Sequence, residues 1–212
     1  MWLEFKNHLE LFKVFSIRDI EKMFPGMNRM NLVRWQAKGY LLKIRNGWYC
    51  FGSRTGENIP WLAANLIYQP SYISLHTALS YYNLIPEGIY LTTSITTRKT
   101  NRFETSIGNF TYHSVKRSIY GFGHTLIEFT TDLVGNSTET RKILFAELEK
   151  AILDFFYINS QYQSQDDMKN LRFDHKVLAE LDRGKFYDYL DRFKSKALND
   201  RILIMMKVYS LI

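Results

Sequence analysis

The chain's 212 residues allow one large domain or two small ones, and 46% hydrophobic with 16% aromatic residues is ample for packed cores. Its single cysteine, Cys50, excludes an internal disulfide and a thiolate zinc cluster, which makes a reducing cytoplasm the expected setting. No apolar run approaches the roughly 18 residues of a membrane span, and the opening MWLEFKNHLE lacks the basic-then-apolar plan of a secretory signal, so no membrane association is expected.

The net charge of +7 is unevenly spread. Residues 1–56 hold ten Lys/Arg against four Asp/Glu, whereas 57–212 hold 18 against 17. Basic charge concentrated in one small module points to a polyanionic partner, with a merely solvated surface as the plain alternative.

In chain order, Leu3, Leu9, Phe12 and Phe15 give Trp2–Phe15 a loosely helical spacing. Ser16 with Asp19 three residues on is close to a capping box and opens a second helix, Ser16–Phe24, stopped by Pro25-Gly26. Asn28 caps a third helix to Lys38, with Gly39 in the C′ position. On it Leu32 and Trp35 face a core, Asn31, Arg34 and Lys38 share another face, and Met30, Val33 and Ala37 form a second apolar stripe. Asn46-Gly47 is the signature of a type I′ hairpin, pairing Leu41–Arg45 with Trp48–Phe51 and placing Lys43 and Arg45 on one face.

Helix, turn, helix and a two-stranded hairpin is the plan of a winged helix-turn-helix, whose third helix enters the major groove while the hairpin touches the flanking backbone. The expected DNA-binding residues are Asn28, Arg29, Asn31, Arg34, Lys38, Lys43, Arg45 and Asn46. Lys43 and Arg45 suit phosphates; Arg34, Asn31 and Asn28 suit base edges.

Phe51–Pro60 reads as a linker, dividing the chain into a winged-helix domain, 1–56, and a second domain, 57–212. Beyond it, Trp61–Tyr68 and Ser74–Tyr82 read as helices, the latter capped by Ser74. Ile89–Thr97, Asn109–Val115 and Leu126–Thr130 read as strands. Lys142–Ile158 reads as one helix with Leu144, Leu148, Ala151, Ile152 and Phe155 in a stripe, followed by helices at Asp174–Leu181, Lys185–Phe193 and Asn199–Ser210. The expected class is α+β: the winged helix, then a mixed domain with a small sheet and C-terminal helices. In that domain Arg98, Lys99, Arg102, Lys116 and Arg117, against Glu104, form a second basic patch. It suits contact with DNA, RNA or a protein, or simple solvation of a hairpin end.

The segments YISLHTALSYYNLIPEG, TTRKTNRF, FTYHSVKR and ELEKAILD, together with the Arg45-Asn46-Gly47-Trp48-Tyr49 wing, resemble the AbiEi-type antitoxins of type IV toxin–antitoxin pairs linked to abortive phage infection. The likeness spans roughly residues 10–160. It implies a DNA-binding autorepressor that sits on inverted repeats in its own promoter, as a monomer or as a dimer formed on DNA. It further implies a second domain that counters a nucleotidyltransferase-type toxin without a stable complex. Two other readings stand beside it: a one-component transcriptional regulator with a ligand-sensing second domain, and a nucleic-acid enzyme.

Catalysis, cofactors and metals are not expected. The five histidines show no HxH or HExxH spacing, and no Walker loop, GxGxxG or GxSxG occurs. Glu147 and Glu149 lie two apart and face different ways on a helix. Glu149 and Lys150 are adjacent, which fails the E-x-K pattern of metal-dependent nucleases.

Overall fold

A computed structural model describes residues 1–52, 58–88, 90–132 and 138–211, so the boundary expected at 56/57 and the middle of the linker, 53–57, lie outside the described residues. The chain is mixed α and β. Its first part runs α1 (Trp2–Leu9), a 3-10 turn (Glu10–Phe12), β1 (Val14–Ser16), α2 (Ile17–Met23), α3 (Met30–Ala37), β2 (Leu41–Arg45) and β3 (Trp48–Phe51). The three strands form an antiparallel sheet in the order β1-β3-β2.

Local chemistry sets most of these elements. The Ser16/Asp19 capping box is present in both directions and contributes about 1 kcal/mol to α2. Trp2–Phe15 does not run on as one helix: Lys13 adopts φ +58°, and Val14–Ser16 becomes a strand. Three residues carry no periodicity of their own, and pairing with Trp48–Cys50 holds β1 in place. The α3 exit is a Schellman motif, with Gly39 N–H donating to Gln36 O, Tyr40 N–H to Trp35 O and Gly39 at φ +69°.

The hairpin also differs from expectation. Asn46 does not take a positive φ; only Gly47 does, at +78°, and the pairing jumps from Lys43↔Tyr49 to Arg45↔Trp48. This bulge sets Ile44 and Arg45 against one residue step of β3 and supplies twist without a second left-handed residue. Lys43 therefore stays on the Tyr49 face while Arg45 turns to the Trp48 face. The two cations do not share a face.

The remainder runs α4 (Ile59–Ile67), β4 (Ser71–Ile73), α5 (Leu75–Tyr81), β5 (Leu91–Thr96), β6 (Asn101–Thr105), β7 (Gly108–Ser114) and α6 (Arg117–Tyr120). Next come β8 (His124–Asp132), β9 (Thr138–Ala146), α7 (Leu148–Ile158), α8 (Gln165–Asn170), α9 (His175–Ala179), α10 (Arg183–Phe193) and α11 (Lys196–Val208). Six strands build one sheet, β6-β7-β5-β4-β9-β8, with β5/β7 and β4/β9 parallel. Residues 142–146 are strand, not helix: Ile143 and Phe145 are buried, and the segment pairs with β8 and β4. A continuous apolar run is ambiguous between the two states until its partners are known. α7 packs against α5, α10 and α11.

Two hydrophobic cores result. The smaller gathers Phe5, Leu9, Phe15, Ile20, Leu32, Trp35, Leu41, Tyr49 and Phe51. The larger takes in the opposite face of the small sheet, Val14, Ile44 and Cys50, together with α4 and the six-stranded sheet. Ala63 and Ala64 on α4, both fully buried, let that helix sit close between the two sheets. The first 51 residues are thus fused to the rest through a sheet face. Burial pushes the Cys50 thiol up to about 12, so the native protein is expected to resist a thiol reagent at pH 8 that labels the denatured chain within minutes. Fast native labelling would mean that this face opens.

Candidate nucleic-acid interface

α3 presents Leu32 and Trp35 to the small core, where the Trp35 ring packs at a tilt against Phe5 at 4.5 Å and Trp2 at 4.9 Å. Rotation about the helix axis is fixed by those contacts, and Met30, Val33, Arg34 and Ala37 face outward. Between α3 and the hairpin lies an open cleft of about 420 Å³ lined by Ile17, Arg29, Leu32, Val33, Gln36, Lys43, Gly47 and Tyr49.

The residues expected to contact DNA divide into two groups. Arg34, Lys38, Lys43 and Asn46 are exposed, and Lys43 lies along the α3 cleft. Lys38 Nζ sits 5.9 Å from the Tyr40 ring. The others make contacts within the protein, Asn28 and Arg29 while remaining exposed, Asn31 and Arg45 half-buried. Asn28 Oδ1 accepts the Met30 N–H at 2.9 Å, ordering the start of α3. Arg29 is ion-paired with Glu21 across the α2–α3 turn. Asn31, half-buried, donates to Met1 Sδ at 3.1 Å. Arg45 donates from Nη1 to Ile67 O at 2.8 Å, and its guanidinium lies 4.2 Å from the Phe103 ring centre. It joins the hairpin to α4 and β6.

The second patch comes together through sheet topology. β5 and β7 are parallel with Thr96 opposite Ser114, so Arg98 and Lys99 leave the sheet at the same end as Lys116 and Arg117. β6 starts at that end too, pairing Arg102 with Thr111. Arg98 lies over Tyr68 at 4.5 Å, and Arg102 pairs with Glu104 at 3.3 Å. Arg45 lies 5.7 Å from the same Tyr68 ring, so the hairpin abuts this end of the large sheet.

The carboxylates of α7 and its N-cap are spoken for separately. Glu147 accepts from Tyr189 Oη at 2.6 Å, and Glu149 accepts the Asp182 N–H at 3.1 Å. Asp154, fully buried, is ion-paired with Lys150 and accepts from Tyr72 Oη and Ser74 Oγ, each at 2.9 Å. The Ser74 hydroxyl therefore serves this pair and does not cap α5. Burial pulls the Lys150 ammonium below its ordinary value and the adjoining carboxylate opposes that shift. Rings of Phe193, Phe122 and Tyr72 surround it at 4.9, 5.2 and 5.3 Å. Burial likewise lowers His76 and His113; His76 packs edge-on against Phe155. Among the described residues no group of three His, Cys, Asp or Glu side chains converges to hold a metal ion, and no helix is long and apolar enough to cross a membrane.

Two features of the site were not singled out from sequence: the outward exposure of Met30 and Val33, and the withdrawal of Arg45. The first had a signal, the 30/33/37 stripe, but only the packing of Trp35 decides which stripe faces out. The second had none, since the bulge is set by tertiary fit. In comparisons with known proteins, no family model matches the chain and no curated protein sequence matches it.

Proposed function

We propose that the first 51 residues are a winged helix-turn-helix, and that the chain is a DNA-binding autorepressor and antitoxin of a type IV-like toxin–antitoxin pair. The observation that carries the DNA half is the joint placement of Arg34, Lys38, Lys43 and Asn46 on α3 and its adjoining hairpin, exposed, in the quarter of the chain that holds most of the net positive charge. A helix flanked by a cationic hairpin suits a duplex, with phosphates fixing orientation and base edges supplying choice. The antitoxin half rests on the resemblance noted above, and a nucleotidyltransferase-type toxin is its expected functional counterpart. A second reading, a ligand-sensing regulator, draws on an open cleft of about 340 Å³ in the second part, lined by Leu62, Asn65, Gln69, Tyr120, Leu126 and Lys142 among others.

The test is a salt-titrated mobility shift on the protein's own upstream promoter against scrambled DNA of equal length. Wild type is expected to prefer the promoter and to show a steep salt slope. Lys43→Ala should weaken binding to both DNAs and lower the slope by about one phosphate contact. Arg45→Ala should leave the slope unchanged and lower thermal stability instead, because its guanidinium holds Ile67 O and covers Phe103. Absence of promoter preference at every salt concentration would rule out the repressor reading. Neutralisation is tested separately, by co-expressing the chain with the product of the adjacent gene in growth arrest and rescue.

A further inference from the structure

The polar side chains of α3 that ordinarily read base edges are mostly occupied. Asn31 reaches back to Met1 and Gln36 donates to Leu32 O at 2.9 Å within its own helix, while Arg29, the N-cap, pairs with Glu21 at the surface and stays exposed. What α3 offers outward is apolar: Met30 at 53% and Val33 at 54% exposure, with Ala37 one further turn along. Arg34 is the exposed polar exception beside them, with no ion-pair partner among the described residues. The stripe runs at i, i+3 and i+7, about 10 Å along the axis. That length matches roughly three base-pair steps of a duplex.

An exposed apolar stripe between cations is ill-suited to water alone. Arg34 lies on its own helix, Lys38 caps that helix's C-terminal end and Lys43 lies across the cleft, so the rim favours an anionic partner. An occupant that is anionic at its edges and apolar in a narrow central track is the major groove of A·T-bearing DNA, where thymine 5-methyl groups project between base edges. We infer that α3 reads its target chiefly through thymine methyl groups, packed against Met30, Val33 and Ala37, with Arg34 contacting an adjoining guanine. The inference rests on the DNA-binding reading above and adds what that binding selects.

Random-sequence duplexes of equal length, one pool made with thymine and one with uracil throughout, separate the two. Selection from the thymine pool is expected to enrich A·T pairs in a window of about three to four positions next to a G·C pair. Each buried methyl is worth roughly fourfold in affinity, so the selected site remade with uracil should bind tens of fold more weakly. The variant Met30→Ala/Val33→Ala, altered only at exposed positions, should bind the selected thymine site about as weakly as wild type binds its uracil form, and so lose most of the thymine–uracil difference. Equal wild-type binding to the thymine and uracil forms of the selected site would overturn methyl readout and leave DNA binding standing. Failure to bind either pool, with the chain folded by circular dichroism, would overturn the DNA-binding reading itself and make the stripe a protein-docking face.

Discussion

Asp154→Ala is expected to destabilise the protein by roughly 3–5 kcal/mol, lowering the melting temperature by about 10 °C. Asp154 and Lys150 are one turn apart on α7, both side chains fully buried, and the carboxylate also accepts from Tyr72 and Ser74. Removing it strands an ammonium among three aromatic rings and leaves two hydroxyl donors without their acceptor. The rings offset a little of that cost through cation–π attraction. The backbone has closed around the pair as well: a Cβ on Gly123 would meet the Lys150 side chain at 2.8 Å. Lys150→Met/Asp154→Leu should cost less than Asp154→Ala, because two apolar side chains take the place of two desolvated ions and only the Tyr72 and Ser74 hydroxyls are left to find partners. Thermal unfolding of the two variants checks the order. A double variant less stable than Asp154→Ala would show that the pair does not carry the penalty assigned to it.

That network also shows where sequence stops being informative. Leu148, Ala151, Ile152 and Phe155 mark α7 as core-facing, and an acid amid such residues can be foreseen as a buried partner for a base. Its partner four residues earlier, and a tyrosine and serine some 80 positions away, are set by how β4 and α7 meet. Elements whose signals are local were legible: the Ser16/Asp19 capping box, the Asn-Gly hairpin and the Gly39 exit from α3. Strands of three residues, β1 and β4, were not, because their reason for being strands lies in β3 and in β5 and β9. Lys142–Ala146 looked helical only because the true helix follows without a break in hydrophobicity. In the candidate interface, charge and position pointed to Arg34, Lys38, Lys43 and Asn46, which are exposed. Nothing local distinguished them from Arg45, which the bulge rotates onto another element.

One close backbone contact holds α3 and the hairpin in register. Gly52, just past β3, approaches the α3 exit so closely that a Cβ there would lie 2.1 Å from Gly39 O and 3.3 Å from Gly39 C. The obstructing atoms are backbone and cannot swing aside as a side-chain tip would. The same contact carries a hydrogen bond, Gly52 N–H to Tyr40 O at 3.0 Å. Gly52→Ala must therefore push the end of β3 away from α3, straining that bond and dragging Phe51 from the small core. The expected cost is about 1–3 kcal/mol, several degrees of melting temperature. Gly26→Ala is the matched control. Gly26 has φ +77° with nothing within 4 Å of its added Cβ, so that variant bears only backbone strain, on the order of 1 kcal/mol. On the DNA-binding reading the two should also part in function. Gly26→Ala leaves the α3–hairpin spacing intact and keeps promoter affinity. Gly52→Ala shifts Lys43 relative to Arg34, so that phosphate and base contacts can no longer be made together, and affinity should fall more than the loss of folded protein explains. A Gly52→Ala protein as stable as wild type would mean that the hairpin is not braced on the α3 exit and that its register is held elsewhere.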